Sequence, residues 1–182
     1  GPANAYYVDK NSLGGACNDS NSGTETEPWC TLGKAGSTAV AGDTVYVRAG
    51  TYTETLIVVN SGTSGNMITF AAYPGDECQG TYTKSNCKVV IDGEGLRNDG
   101  IDVNGKHHVR LEGFEVTNHL KRETIIHYTT GGVEIVNNYL HNGADINATQ
   151  GGLPPAGIGF RESGGTDITL IENNEIVLED EE

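Results

Sequence analysis

Basic residues are scarce in this chain: 11 lysines and arginines stand against 25 aspartates and glutamates, a formal net charge of -14. That balance excludes nucleic acid and anionic membrane surfaces as global partners, because like charges repel at long range. Helical composition is equally thin. One Met, one Trp and 20% charged residues accompany 26 glycines, which fits a turn-rich β protein better than a helical one. No apolar run approaches the roughly 18 residues a membrane-spanning helix needs, so no membrane insertion is expected. Ser/His/Asp and Cys/His nucleophile signatures are missing, and no Gly-rich phosphate loop follows a strand and opens a helix.

What the sequence does contain is an internal repeat. VRLEGFEV (Val109–Val116), VEIVNNYL (Val133–Leu140) and TLIENNEI (Thr169–Ile176) superimpose, with steps of 24 residues from Leu111 to Ile135 and 36 from Ile135 to Ile171. The surplus of 12 lies in the Gly/Pro-rich run Ile146–Gly157, which reads as a loop thrown out of a regular winding. Short β-branched strands recurring at a period in the twenties predict a parallel β-solenoid, in which no coil is stable alone and stacking buries the strands. A second strand precedes each repeat, in GIDVNG from Gly100, TIIHYT from Thr124 and GIGFRE from Gly157, with Ile101 and Ile125 again 24 apart. Upstream, DTVYV, MITFAAY and KVVIDG read as strands, and Val47, Phe70, Ile91 and Leu111, spaced 23, 21 and 20, are taken as successive coils. About six coils in one domain are expected. The longest helix-like stretch, Thr31–Gly42, precedes the first coil, where a solenoid needs a cap over its open end.

The expected organisation is therefore a cloning remnant at 1–2, an amino-terminal cap with a disulfide loop over 3–42, and coils over 43–182. Cys17, Cys30, Cys78 and Cys87 permit three pairings, and local closure favours Cys17–Cys30 and Cys78–Cys87. Disulfides imply a secreted or cell-surface protein whose signal peptide has been removed. Asn137-Asn138 and Asn173-Asn174 occupy equivalent positions, where stacked asparagines can hydrogen-bond along the coil axis as a ladder.

The opening Tyr6–Glu54, with GTETEPW leading into TLGKA and then AGDTVYVRAGTYTE, resembles the start of secreted right-handed parallel β-helix proteins. It is most similar to the family 9 pectate lyases and related polysaccharide lyases of the pectate-lyase-like fold. IDGEGLRNDGIDVNGKHHVRLEGFEVTN (Ile91–Asn118) looks like their early coils. The resemblance implies an all-β, right-handed parallel β-helix with a short capping helix. It also implies that the acidic calcium cluster and lysine base of such lyases lie on later coils, so the chain is expected to be an amino-terminal portion, or else a short relative whose site lies elsewhere.

The candidate site comes from the charge distribution. All five histidines fall within 35 positions, from His107 to His141, with Lys106, Arg110, Lys121 and Arg122 among them. Two irregular segments, Asn118–Thr124 and His141–Gly157, leave equivalent points of successive coils, which predicts that they project from one face. Lys121, Arg122 and His127 are then the catalytic candidates, with His119, His141 and Arg161 binding substrate. A cationic patch on an acidic protein suits a uronate-bearing, acidic polysaccharide, since Arg pairs carboxylates bidentately and Lys or His can take a proton. Asp92, Glu94, Asp99 and Asp102 crowd into one coil as hard oxygen ligands suited to Ca²⁺, and Asp92-Gly93 and Asp99-Gly100 are equally good turn formers. Two functions follow as expectations: a polysaccharide lyase acting by β-elimination, or a non-catalytic carbohydrate-binding or surface-structural β-helix.

Overall fold

The computed structural model describes residues 3–81, 83–120, 122–129, 131–142, 156–162 and 170–177, with backbone only over 122–129 and 156–162. These residues form fifteen strands and one helix, arranged as three parallel sheets that run along a common axis. Numbered in chain order, the six-stranded sheet A holds β1 (Ala5–Val8), β2 (Thr44–Val47), β5 (Ile68–Ala72), β8 (Val109–Glu112), β11 (Val133–Val136) and β14 (Leu170–Glu172). Sheet B stacks five: β3 (Gly50–Tyr52), β6 (Val89–Asp92), β9 (Glu115–Thr117), β12 (Tyr139–His141) and β15 (Glu175–Val177). Sheet C stacks four: β4 (Leu56–Ile57), β7 (Asp99–Asp102), β10 (Arg122–Thr129) and β13 (Ala156–Glu162). The chain visits the sheets in the cycle A, B, C, so each turn of the winding is one coil.

Each repeat seen in the sequence is two strands separated by a corner. The break falls at Gly113, Asn137 and Asn173, with φ of 83°, 59° and 53°. Left-handed backbone of this kind is open to Gly and tolerated by Asn, whose short polar side chain bonds locally. Behind the corner the asparagines form the expected ladder. Asn138 Nδ2 donates to Asn174 Oδ1 at 3.1 Å, and Asn174 Nδ2 to the Ile135 carbonyl at 2.7 Å. Asn138 Oδ1 in turn accepts from Phe114 N at 2.9 Å, so Phe114 occupies the ladder position one coil earlier.

The interior is a stack of apolar side chains, in which Val45, Phe70, Leu111 and Ile135 from successive strands of sheet A are no more than 1% exposed. Strand alternation sends every second residue inward, and parallel pairing places like residue on like. At the amino-terminal end the helix α1 (Leu32–Thr38) closes the barrel over β4. Thr31 caps it by accepting from Lys34 N at 3.1 Å, and Asp19 Oδ2 holds the Thr31 hydroxyl at 2.7 Å. Its buried side carries Leu32, Ala35 and Gly36. Gly36 is required there, because a Cβ would lie 2.1 Å from the Ile57 carbonyl oxygen. Trp29 stacks on Tyr6 with centroids 4.7 Å apart and donates its indole N–H to the Asn21 carbonyl at 2.9 Å.

Disulfides join Cys17 to Cys30 and Cys78 to Cys87. The second closes a strap between β5 and β6 that lies along the outside of the corner. Cys78 N donates to Gly113 O at 3.0 Å, Asn137 Nδ2 donates to Cys78 O at 3.0 Å, and Lys84 N donates to a Glu175 carboxylate oxygen.

Two register expectations are corrected. Phe70 pairs with Val45 and with Leu111, whereas Ile91 lies in sheet B between Tyr52 and Val116. The run Val47, Phe70, Ile91, Leu111 thus mixes two sheets, and the step from Phe70 to Leu111 is a single coil enlarged by the strap. Ile101 pairs with Thr124 rather than Ile125. The residue that separates this 23-residue step from the 24 of Val109 to Val133 falls in a span with a β-bulge between His127 and Thr129.

Candidate functional site

Sheet C carries three of the expected site residues, Arg122, His127 and Arg161. Arg122 opens β10 and pairs in register with Asp99 on one side and Ala156 on the other, while His127 pairs with Arg161 of β13. Neighbouring parallel strands lie about 4.8 Å apart, so His127 and Arg161 are adjacent backbone positions. Lys121 and residues 143–155, most of the expected projecting segment His141–Gly157, lie outside the described residues.

The other expected members of the patch are elsewhere. His119 is 2% exposed, with its ring against Gly93, where an added Cβ would meet His119 Cδ2 at 2.6 Å. It is packed into the coil and is not the solvent-facing subsite expected. His141 belongs to sheet B, with Nε2 2.8 Å from Glu115 Oε1, Nδ1 3.5 Å from Thr117 Oγ1, and its ring stacked on Tyr139 at 4.0 Å. Burial, with help from Glu175 and Glu115, raises the Tyr139 phenol above its ordinary range. Arg122, His127 and Arg161 are thus brought onto one sheet, while His119 and His141 are not part of that sheet.

The four carboxylates expected to suit calcium do not converge. Asp92 ends a strand of sheet B and accepts from Glu94 N at 2.8 Å and Asn118 Nδ2 at 3.1 Å. Glu94 pairs with Arg97 at 2.9 Å, and Asp102 accepts from Asn104 N at 2.8 Å. Asp99 opens β7 on sheet C. Asp92 and Asp102 bind the backbone two residues on, as turn aspartates do. Among the described residues no group of three or more His, Cys, Asp or Glu is placed to hold a metal ion.

Two features escaped the sequence reading. Lys84 is 5% exposed, and burial lowers its pKa while Glu175 pulls the other way. Its ammonium donates to Gly80 O and Asn137 Oδ1, which fixes the strap on the corner. The second is a cluster of Tyr7, Tyr46 and Tyr73 on the outside of sheet A. Tyr7 and Tyr46 recur one place before the last residue of successive strands, which was the available signal.

Three parallel sheets, an asparagine corner and a helical cap define a right-handed parallel β-helix. The family described as "Pel9A-like, right handed beta helix region" matches residues 7–177, and the chain belongs to it. Over 121 residues it is 36% identical to the uncharacterized protein YwoF of Bacillus subtilis (strain 168), covering 64% of this chain and 22% of that protein. Among solved structures it is similar to the GH136 lacto-N-biosidase from Eubacterium ramulus, with a TM-score of 0.65 at 15% identity over 88% of this chain and 31% of the other. Pectate lyase Pel9A gives a TM-score of 0.54 at 19% identity, over 93% of this chain and 47% of the enzyme. At these identities the likeness is one of fold. The chain spans under a quarter of its curated relative and less than half of either solved chain.

Proposed function

We propose that this β-helix is an extracellular protein that engages an acidic, uronate-bearing glycan across sheet C, and that the chemistry suited to that surface is β-elimination. The observation that carries the reading is the register of sheet C, which pairs His127 with Arg161 in a chain with 25 acidic and 11 basic residues. The family and the likeness to a pectate lyase support a carbohydrate partner. Two disulfides support an oxidising compartment.

In this reading Arg161, the register partner of His127, neutralises the uronate carboxylate and lowers the energy of the enediolate that develops on it; Arg122, five places before His127, falls at the opposite alternation of the strand and takes no part in this step. Lys121 or His127 removes the C5 proton. The C4–O bond then breaks, its electrons leave with the glycosidic oxygen, which takes up a proton, and a C4–C5 double bond forms. Binding without turnover is the second reading, and it is favoured by the separation of Asp92, Glu94, Asp99 and Asp102 and by the burial of His119.

Polygalacturonate and alginate distinguish the two. A rise in the ultraviolet absorbance of an unsaturated uronate, abolished in Arg161→Ala and His127→Ala proteins that remain folded, establishes elimination. Affinity that falls with salt, with no such absorbance, establishes binding alone, since exposed ion pairs are screened over about 10 Å at 0.1 M salt. Absence of both removes the acidic glycan as ligand.

A further inference from the structure

We propose that the outer face of sheet A carries a second glycan site, for a neutral sugar, centred on a groove beside Tyr46 and remote from the cationic residues of sheet C. The groove has a volume of about 320 Å³, at the small end of the range for ligand pockets. Ala71 and Ala72 form its floor, Tyr46 and Pro74 its apolar walls, and Glu77 and Glu112 bring carboxylates to it.

The register explains why the groove exists. Along one outward row of sheet A the side chains are Tyr7, Tyr46, Ala71 and Glu112, so a small residue falls between a ring and a carboxylate. At the adjoining corner Gly113 stands where the later coils have Asn137 and Asn173. A Cβ there would lie 2.8 Å from Glu77 Cβ and 3.2 Å from Ala72 Cβ, so glycine is what lets Glu77 close on the floor.

The aromatic side is held in place before any ligand arrives. Tyr46 lies 5.7 Å from Tyr7 and 6.4 Å from Tyr73, between ring centroids. Tyr73 donates its hydroxyl to Glu25 at 2.7 Å, and the Arg48 guanidinium sits 4.2 Å over its ring while facing Glu25 at 3.6 Å. Such fixing lowers the ordering cost of binding. The parallel outward row uses Thr44, Thr69, Arg110 and Glu134, so an aromatic trio is not needed to cover this sheet.

Charge decides the ligand class. Glu77 and Glu112 repel a uronate, while Arg110 is bound to Glu112 at 2.8 Å and to Glu134, and the Lys84 ammonium behind the groove-lining Asn137 is engaged by Asn137 Oδ1 and Gly80 O. An ionised carboxylate is an acceptor with about four lone-pair sites. Glu112 and Glu77 are therefore suited to the hydroxyl donors of a neutral pyranose, whose C–H face lies against Tyr46.

The test titrates the intact protein with cellohexaose, xylohexaose and galactohexaose by calorimetry and saturation-transfer NMR, with an oligogalacturonate in parallel. At least one neutral oligosaccharide is expected to bind. Tyr46→Ala should weaken it about tenfold or more, and Ala71→Leu, which fills the groove from its floor, should abolish it. Oligogalacturonate binding should be unchanged in both variants, and neutral-sugar binding unchanged in Arg161→Ala. Should Tyr46→Ala not fold, Ala71→Leu decides alone, because its side chain projects outward. Failure of all three neutral sugars, wild-type affinity in Ala71→Leu, or protection of these tyrosines by the oligogalacturonate instead would overturn the proposal.

Discussion

Replacing Asn138 with alanine should strip the ladder of its central rung. The side chain is 1% exposed. It accepts from Phe114 N at 2.9 Å and donates to Leu111 O at 3.1 Å, Val136 O at 3.0 Å and Asn174 Oδ1 at 3.1 Å. Truncation leaves the Phe114 N–H without its acceptor in the interior, at about 1–3 kcal/mol for an orphaned buried group. The lost carbonyl contacts and the void left by the amide add to this, for a total of about 3–5 kcal/mol. At roughly 2–4 °C per kcal/mol for a domain of this size, the melting temperature should fall by about 6–20 °C. Guanidinium titration of the wild type, Asn138→Ala, Asn174→Ala and the double variant measures both the cost and the coupling. An Asn138→Ala protein within about 1 kcal/mol of wild type, or a coupling energy near zero, would refute the reasoning, since groups sharing a hydrogen-bond network should couple.

Three further outcomes follow from contacts described above. Cys78→Ser/Cys87→Ser should lower stability by about 3 kcal/mol on the chain-entropy model for a ten-residue loop, read as a guanidinium midpoint shift that disappears when both proteins are reduced. Gly36→Ala gains about 1 kcal/mol of helix propensity but sets a methyl 2.1 Å from the Ile57 carbonyl oxygen. Overpacking of about 1–3 kcal/mol should win, with net loss in a thermal melt. Burial lowers the pKa of Lys84, so the unfolded chain binds the more protons between that value and the ordinary lysine pKa of about 10.4. Stability of the wild type relative to Lys84→Met should therefore rise with pH across that window, and a flat difference would be evidence against a buried ammonium.

The fold was largely legible because its period is written in apolar spacing. Leu111, Ile135 and Ile171 pair as the 24- and 36-residue steps require. What spacing cannot say is which of three sheets a strand joins, since VVID in sheet B and VRLE in sheet A have the same alternation and the same burial. That is why Ile91 was misplaced. A single extra residue between a strand and the next repeat is equally silent, so Ile101 pairs with Thr124 and Ile125 with Asp102. Within the candidate site, sheet C could be read from strands ahead of each repeat. The burial of His119 could not, because it depends on Gly93 of the preceding coil coming close enough to cover the ring. The tyrosine trio was missed because Tyr73 follows its strand instead of lying within it.

The strap between β5 and β6 has a consequence for how the molecule unfolds. In a linear stack each coil senses only the one before and the one after, so the ends can peel away in small steps. Here a single disulfide-closed segment touches Gly113, Asn137 and Glu175, one on each of three successive coils. Loosening any one of them releases a fastening shared by the others. A staple of this kind turns independent layers into one cooperative block along that edge, so amide exchange at the corner should report a common opening event instead of a gradient from end to end.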